Sequence, residues 1–553
     1  MIASRGPAWP DALRALPVAL IGSALVLPVL AVLASWLDWD AGGADVLAAM
    51  VRHVLPECLW TTIVIVLPVA IGVAAIGAAT AASVALLDFP GRRVFEWALL
   101  LPMAMPAYVV AYAYTDFLQY SGPLQEWLRA ATGRSGRMLP EIRSVGGAVL
   151  VFTVTLYPYV YLLVRAALSE RAAQLMDAAR LLGAAPARRV REVALPLARP
   201  AIAAGVVLAL METMADFGVS SYFGVQTFTA AIYKSWLALD DRATAARLAT
   251  VLLAIVAVLV AIERRAQCRL RFAGPRGSAG SAAGTDARRH RPGPRGRALA
   301  FALCAAPVAL GFVLPAAILA RLLAIDASTL PWARFAEWAG NSVRLGAIAA
   351  AAAVALALVL AFVARRWPSR SSVAVRELAG LGYAVPGAVI VVGLLLPVGW
   401  AQARWPGSGV GALVTATSLG LVWAYLVRFV AVALQSVGSG YTRIPANLDE
   451  SARMLGVGAA ALALRVHAPL LARSAAVAAL LVFVDVVKEL PATMVLRPFG
   501  SDTLAVVAYQ LARDERLGEA ALPAMALVLV GLLPLVLASR VLRSPPERGV
   551  EGR

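Results

Sequence analysis

The sequence predicts an all-α integral membrane protein built from two homologous halves. Of its 553 residues, 61% are hydrophobic, whereas soluble domains contain about half. These residues are gathered in twelve apolar runs, each long enough for a membrane-spanning helix of ~20 residues. One polar, arginine-rich stretch also occurs twice among the runs at a constant distance, which indicates an internal repeat.

The repeated stretch consists of an acid, two small residues, a glycine and a later proline. Its members are Asp177, Ala178, Ala179, Gly183 and Pro196 in the first half, and Glu450, Ser451, Ala452, Gly456 and Pro469 in the second. Each member of the first set stands 273 residues before its counterpart in the second set. Matching at so many separated positions indicates two copies of one unit.

Each position in the stretch has a physical meaning. An acid suits a helix N-terminus because its charge complements the helix dipole, and small side chains leave one helix face flat. A glycine tolerates the backbone angles that end a helix, and a proline suits the first turn of the next helix. The stretch therefore predicts short docking helices at about 177–186 and 450–459, carried in loops between spans.

The apolar runs predict six spans in each half. Pro102 and Pro106 lie inside the third predicted span and Pro386 inside the ninth, where proline would kink the helix. A retained first span, rather than a removed signal peptide, is expected at the N-terminus. The predicted spans are about 13–37, 59–87, 95–119, 145–168, 197–222, 246–263, 298–323, 342–364, 376–400, 410–437, 468–490 and 519–541.

The net charge of +18 is explained by arginine-rich loops and not by a nucleic-acid partner. Those loops fall on one face of the twelve-span arrangement, whereas acids and bases are nearly balanced on the other face. Positive loops mark the cytoplasmic side, so both termini are expected in the cytoplasm. Because each half has an even number of spans, both docking loops should face the cytoplasm.

Few residues are available for metal or nucleotide chemistry. The three cysteines and three histidines are scattered, which predicts neither disulfides nor a metal cluster. Neither of the two lysines, Lys234 and Lys488, stands in the glycine-rich setting of a phosphate-binding loop. We therefore expect this chain to bind no cofactor, and any ATP chemistry to belong to a partner. The cysteines and histidines are Cys58, Cys268, Cys304, His53, His290 and His467.

Charged residues occur within the span that follows each docking loop. The 273-residue offset relates Glu212 to Asp485 and Asp216 to Glu489, and each acid pair lies on one helix face at i, i+4 spacing. Charges in such places usually face a bundle interior or a watery path. These acids are expected to line a translocation path or its outer gate, or alternatively to form an internal charge pair between Lys488 and Asp485.

The repeated stretch resembles the EAA loop of binding-protein-dependent ABC importer permeases. The family pattern is Glu-Ala-Ala, three residues, Gly, nine residues and Ile-x-Leu-Pro. The first copy has Asp177 for Glu and Val193 for Ile, whereas the second has Ser451 for Ala and Ala468 for Leu. The resemblance implies a type I ABC importer fold whose docking helices sit in grooves of two ATPase subunits, with ATP and Mg²⁺ bound there.

The residues around the intramembrane acids narrow the resemblance to ferric iron importer permeases of the fused, two-half form. The matching sequence segments are Met211 to Gly218 and Ser221 to Thr229 in the first half, and Val484 to Thr493 and Leu496 to Phe499 in the second. This implies a non-enzymatic permease of the bacterial inner membrane that receives Fe(III) from a periplasmic binding protein. Carboxylate oxygens suit that hard cation.

Alternatives stay open at this stage. The same machinery could carry thiamine, a polyamine or a phosphonate. An ion-coupled secondary transporter could use the intramembrane carboxylates as a proton relay, and a non-transporting membrane scaffold is a third class. A secondary transporter would have no use for a duplicated docking loop.

The resemblance also sets the predicted domain boundaries. The 264–297 segment is rich in arginine, glycine, proline and serine, which predicts a disordered cytoplasmic linker. The predicted parts are 1–56, first span and periplasmic loop; 57–263, first type-1 transmembrane domain; 264–297, linker; 298–340, seventh span and periplasmic loop; 341–541, second type-1 domain; and 542–553, cytoplasmic tail.

Overall fold

The computed structural model describes residues 11–37, 48–169, 173–272, 290–327 and 330–543, which are almost entirely helical. Up to residue 272, the α-helices are Asp11–Ala34, Leu55–Leu86, Arg92–Ala98, Ala107–Leu118, Pro123–Thr132, Val145–Ala167, Ala173–Leu181, Pro186–Arg189, Leu195–Ala215, Gly218–Tyr222, Phe228–Tyr233 and Arg242–Phe272. From residue 290, they are Pro294–Val308, Leu314–Ile325, Trp332–Arg366, Arg370–Gly380, Gly387–Arg404, Val410–Thr415, Ser418–Tyr441, Ala446–Met454, Ala459–Ala461, Ala468–Lys488, Pro491–Leu496, Leu504–Arg513 and Leu517–Arg543.

The membrane-spanning prediction is confirmed. Within the described ranges, 11 helices are long and apolar enough to cross a membrane, or up to 12 if one bent helix pair counts as a single span. Each of the twelve predicted spans overlaps one of these. The part of the chain that the structure describes is therefore that of an all-α, multi-pass membrane protein.

The third and ninth spans differ from the prediction of a kinked but continuous helix. In the third, the segments Arg92–Ala104 and Ala107–Thr132 meet at 88°. In the ninth, the helix after the break begins at Gly387, directly after Pro386. Proline disfavours helical angles in the residue before it, and Met105 and Val385 are accordingly extended, with ψ of 120° and 122°.

The ends of two other spans also differ from their predicted positions. The fifth predicted span, 197–222, stops at Ala215, because a separate short helix, Gly218–Tyr222, follows. The tenth, 410–437, is interrupted near Thr417, and its long helix is Ser418–Tyr441.

The linker is shorter than predicted. Helix Arg242–Phe272 continues through its first part, and the next long helix starts at Pro294. Before that start, the backbone of His290 pairs with Leu87 and the Arg291 side chain pairs with Asp88 at 2.8 Å. The disorder predicted for 264–297 is therefore wrong at both ends, and residues 273–289 lie outside the described part of the chain.

The internal repeat extends to helix boundaries. The docking helices Ala173–Leu181 and Ala446–Met454 differ by 273 residues at both ends, and so do the spans Leu195–Ala215 and Ala468–Lys488. A turn with wide, π-type hydrogen bonding precedes each of those spans, at Val190–Ala194 and Leu462–His467. Pro196 and Pro469 each stand two residues after the end of these turns. Because proline lacks an N–H, the helix locally rearranges there.

The chain forms two compact units that do not coincide with the two halves. Unit 1 comprises Met1–Arg52, Ala231–Leu253 and Trp332–Val507, so the first span packs with central spans of the second half. In this unit the Trp423 indole donates to the carbonyl of Ala24 at 2.8 Å.

Unit 2 comprises His53–Ala230, Ala254–Pro331 and Ala508–Arg553. It joins the central spans of the first half to the seventh span. Within it, Arg321 donates to the Asp116 carboxylate at 2.7 Å.

Candidate functional site

The two docking helices begin four residues earlier than predicted. They start at Ala173 and Ala446, and the predicted ranges 177–186 and 450–459 are therefore wrong. The acids lie inside the helices and not at their N-termini. The glycines fix the register, because each helix must end just before the residue that reverses the chain direction.

Both docking helices end in the same hydrogen-bonded motif. Gly183 and Gly456 have φ of +78° and +75°, the left-handed region that glycine occupies without strain. The Gly183 amide donates to Arg180 and the next amide to Ala179, both at 3.0 Å, and Gly456 and its successor repeat the pattern. This is the Schellman arrangement of a helix C-terminus.

Two large apolar side chains precede each glycine and extend into solvent. Leu181 and Leu182 are 90% and 87% exposed, and Met454 and Leu455 are 89% and 83% exposed. Water-exposed pairs at equivalent places on two polar loops mark an interaction surface. We call these four residues the docking tips. Sequence analysis did not single them out, although an apolar pair repeated inside an arginine-rich loop was a visible signal.

The other predicted coupling residues surround the docking tips. Glu450, Ser451 and Ala178 are exposed, Ala179 is half-buried and Ala452 is buried. Pro196 and Pro469 are exposed in the first turns of the following spans. The side chain of Asp177 lies outside the described part of the structure.

A buried charge cluster holds the second docking helix, in unit 1. The Asp449 carboxylate accepts from Arg365 Nε at 2.7 Å and contacts His467 Nε2 at 2.8 Å. The side chains of Asp449 and His467 are 8% and 2% exposed. We call Arg365, Asp449 and His467 the Asp449 cluster. Sequence analysis missed it, because its members lie far apart in the chain.

Hydrogen bonding keeps the Asp449 carboxylate charged. Burial alone would raise the pKa of Asp449, but hydrogen bonds from Arg365 and His467 outweigh burial and lower the pKa below its ordinary value. A lowered pKa means that the folded protein stabilises the ionised form. This stabilisation is present above the pKa of an unfolded aspartate, about 3.9, and is lost as pH falls through the lower, folded-state value.

The Asp449→Asn variant should therefore be less stable than the parent chain at neutral pH, by about 2 kcal/mol. The difference should shrink as the pH falls below about 4, because the parent carboxyl then becomes protonated as well. Thermal unfolding of both detergent-solubilised proteins across pH 3–7 measures it. A difference that stays constant or grows on acidification would contradict the assignment.

In unit 2, Asp216 ends the span Leu195–Ala215. Its backbone is extended, and its Oδ1 accepts from the Val219 amide at 2.8 Å at the start of helix Gly218–Tyr222. The Asp216 carbonyl accepts from Thr229 at 2.7 Å. The carboxylate therefore stabilises the break after the span, as an N-capping residue does.

In unit 1, Glu489 occupies the equivalent place after the span Ala468–Lys488. Its carboxylate accepts from the Ala492 amide at 2.9 Å and the Thr493 amide at 3.0 Å, and lies 3.6 Å from Arg428. A Cβ added to Gly387 would approach Glu489 Oε1 to 2.9 Å, so glycine is needed where that helix passes. Glu489 is 6% exposed.

The other residues that were predicted to line the translocation path are half-buried. Glu212 and Asp485 are half-buried at equivalent positions in the two spans. Asp485 lies close enough to the half-buried Lys488 for their charges to interact, in agreement with the expected internal pair. Asp216 and Glu489 thus stabilise the breaks after their spans, whereas Glu212 and Asp485 lie within the spans, about one turn earlier.

A loop held by an ion pair and a hydrogen bond follows Glu489 in unit 1. Arg497 pairs with Asp502 at 2.7 Å, and Asn341 donates to the Asp502 carbonyl at 3.1 Å. Between them, Phe499 is fully exposed beside Gly500, whose φ is +71°. The span Ala468–Lys488 is about 30 Å long at 1.5 Å per residue and separates this loop from the second docking helix. These contacts hold the loop that carries the exposed Phe499 ring.

Comparison with known proteins finds related membrane transport components. Residues 74–264 match the model of the binding-protein-dependent transport system inner membrane component. The chain is 25% identical over 546 residues to the "Fe(3+)-transport system permease protein FbpB 2" of Haemophilus influenzae, covering 97% of this chain and 99% of that protein.

Other relatives match a smaller part of the chain. A putative 2-aminoethylphosphonate permease, PhnU of Salmonella choleraesuis, is 25% identical over 39% of this chain and 79% of its own length. The molybdenum permease ModB of Escherichia coli is 29% identical over 32% of this chain and 77% of its own. By its spans, its repeat and these relatives, the chain is similar to binding-protein-dependent transport system inner membrane components, whose fold is that of type I ABC importer transmembrane domains.

Proposed function

We propose that this chain is the permease subunit of an ATP-driven importer that moves ferric iron across the bacterial inner membrane. The observation that carries the proposal is the similarity to an Fe(3+)-transport permease over nearly the full length of both proteins. A match of that extent includes both halves, both docking loops and both acid-bearing spans. The chain hydrolyses no ATP itself in this proposal.

Coupling to the ATPase would use the docking tips. Two ATPase subunits on the cytoplasmic side would each receive one docking helix, with Leu181 and Leu182, or Met454 and Leu455, buried in an apolar groove. Burying a large aliphatic side chain contributes about 1.5–3 kcal/mol, so each pair supplies a substantial part of a subunit contact. The high exposure of all four side chains supports this assignment.

Substrate passage would follow an alternating-access cycle. Closure of the ATPase dimer displaces the docking helices and opens the path toward the periplasmic binding protein, and hydrolysis resets it. Phe499, at the end of unit 1 remote from the second docking helix, is available to contact that binding protein. The half-buried acids Glu212 and Asp485 suit the passage of a hard cation, for which oxygen ligands are preferred.

A second candidate is an oxyanion such as molybdate or a phosphonate. The relatives named for those substrates favour it, but each matches only about a third of this chain. Half-buried carboxylates at equivalent places in both halves disfavour an anion, because like charges repel in a poorly hydrated setting. Both termini on the cytoplasmic side, as the arginine-rich loops indicate, would suit either substrate.

The proposal is tested in vesicles that contain the chain together with a cognate ATPase and periplasmic binding protein. We expect uptake of labelled Fe(III). This uptake should require ATP on the side of the membrane that carries the ATPase, and it should also require the binding protein. Labelled molybdate and 2-aminoethylphosphonate are the matched alternatives. If either anion is taken up and iron is not, that anion is the substrate and the assignment of ferric iron is wrong.

A further experiment distinguishes an ATP-driven importer from an ion-coupled secondary transporter. Vesicles lacking ATP but holding a proton or sodium gradient should show no uptake. Gradient-driven accumulation by the chain alone would instead indicate a secondary transporter and remove the role of the docking tips.

A further inference from the structure

We propose that the Asp449 cluster makes the two docking helices unequal: it connects the second docking helix directly to two membrane spans, whereas the first half has Met176 and Ala194 at the places that correspond to Asp449 and His467. Asp449 would then be a positioning residue for energy coupling. The inference rests on the proposed function for its consequence, but its structural part can be tested on the chain alone.

The cluster connects three elements of unit 1. Asp449 lies in the second docking helix, Arg365 at the end of helix Trp332–Arg366, and His467 in the turn that leads into helix Ala468–Lys488. Both contacts to the carboxylate are shorter than 3 Å. A displacement of the docking helix therefore acts on two spans through charged hydrogen bonds, which are about twice as strong as neutral ones.

Additional contacts restrict the positions of the Arg365 and His467 side chains. The Arg365 guanidinium donates to the carbonyls of Ile444 at 3.0 Å and Pro445 at 3.2 Å, just before the docking helix begins. It lies 5.5 Å from the centre of the Tyr441 ring. The Tyr441 hydroxyl meets His467 Nδ1 at 3.3 Å. Both nitrogens of the imidazole are thus engaged, and its orientation is fixed.

The first half has different chemistry at the corresponding places. The 273-residue offset that relates the helix boundaries puts Met176 opposite Asp449 and Ala194 opposite His467. Neither methionine nor alanine can form an ion pair. The connector after the first docking helix instead carries the exposed pair Arg188 and Glu192, 2.9 Å apart. Exposed pairs of this kind contribute little to stability.

The consequence is that the two docking helices would move differently when the ATPase acts on them. The second docking helix would respond to the ATPase as one body with the cytoplasmic ends of two spans, whereas the first would move more independently. Replacing the cluster by the first-half residues should therefore loosen the second docking helix without disturbing the first. The double variant Asp449→Met with His467→Ala makes that replacement.

Amide hydrogen exchange of the full-length, detergent-solubilised chain tests the structural part without any partner. In the parent chain, residues 446–456 should exchange more slowly than residues 173–183. The double variant should raise exchange in 446–456 by about tenfold or more, since charged hydrogen bonds that restrain local opening are lost. Residues 173–183 should not change.

Two further variants control for misfolding. Glu192→Gln removes the exposed pair of the first connector and should leave exchange unchanged in both docking helices. Arg365→Lys keeps the positive charge but not the planar fork, and should loosen 446–456 by a smaller factor. Equal protection of the two docking helices in the parent chain, or no change in the double variant, would overturn the proposal.

The functional part is read from the number of ATP molecules hydrolysed per substrate transported in reconstituted vesicles. The double variant should raise this ratio severalfold, whereas a purely structural defect would lower both rates together and leave the ratio unchanged. His467→Gln, which retains a hydrogen-bond donor for Asp449, should restore most of the coupling. Altered exchange with no ATP-driven uptake even by the parent chain would refute the proposed importer and not the cluster's structural role.

Discussion

Replacing Gly456 by valine is expected to reduce coupled uptake strongly while the protein still inserts and folds. Gly456 adopts φ of +75°, and a β-branched residue there is strained by about 1–3 kcal/mol. The second docking helix would relieve this strain by changing its C-terminal turn, which would displace Met454 and Leu455. ATP-driven uptake should fall by about tenfold or more, the factor that corresponds to ~1.4 kcal/mol.

The surroundings of Gly456 explain why folding should survive. Nothing lies within 4 Å of a Cβ built at this position, so the new side chain meets no packed neighbour. The effect is therefore confined to the docking tip. The amount of inserted protein and its thermal midpoint measure folding, and uptake with ATPase activity measures coupling.

A nearby glycine provides a matched control. Gly458 has φ of −66° and ψ of 161°, which any residue can adopt, and open space for a Cβ. Gly458→Val should leave uptake close to that of the parent chain, and Gly183→Val should reproduce the defect in the first half. Normal uptake by both Gly456→Val and Gly183→Val would exclude the docking tips as the coupling surface.

Much of the fold could be predicted because hydrophobicity and repetition are local properties of the sequence. The twelve apolar runs correspond to the observed spans, and the 273-residue offset found at the docking loops also relates helix ends in the structure. The prolines were recognised but their effect was underestimated. Pro106 and Pro386 end one helix and begin another, because each also excludes helical angles at the preceding residue.

Contacts between distant residues could not be predicted in this way. Arg365 and Asp449 are 84 positions apart, and in the sequence each is an ordinary charge at the edge of an apolar run. The docking helices were misplaced for a different reason. An acid was taken as a helix start, whereas the glycine with positive φ determines the register from the other end.

The intramembrane acids show how one pattern can serve two purposes. Their spacing correctly indicated equivalent positions on the two spans, but it did not separate capping from substrate contact. Asp216 and Glu489 both accept backbone amides where a span breaks. Glu212 and Asp485, one turn earlier, are half-buried within the spans.

The Glu489→Ala variant should therefore lose stability and not merely transport. It removes the acceptor for the amides of Ala492 and Thr493 and the carboxylate beside the half-buried Arg428. Removing one partner of a buried ion pair typically costs about 3–5 kcal/mol. We expect a lower thermal midpoint of the solubilised chain and a smaller inserted amount, accompanied by loss of uptake.

The symmetric position supplies the comparison that separates capping from contact with the substrate. Asp216→Asn keeps an oxygen for the Val219 amide, and asparagine caps helices about as well as aspartate, so its stability should be close to that of the parent chain. Glu489→Gln keeps an acceptor but loses the charge beside Arg428, and should be intermediate in stability. If Glu489→Gln instead retained the parent thermal midpoint and lost Fe(III) uptake, the carboxylate would act on the passing ion, and the structural role assigned to Glu489 would be wrong.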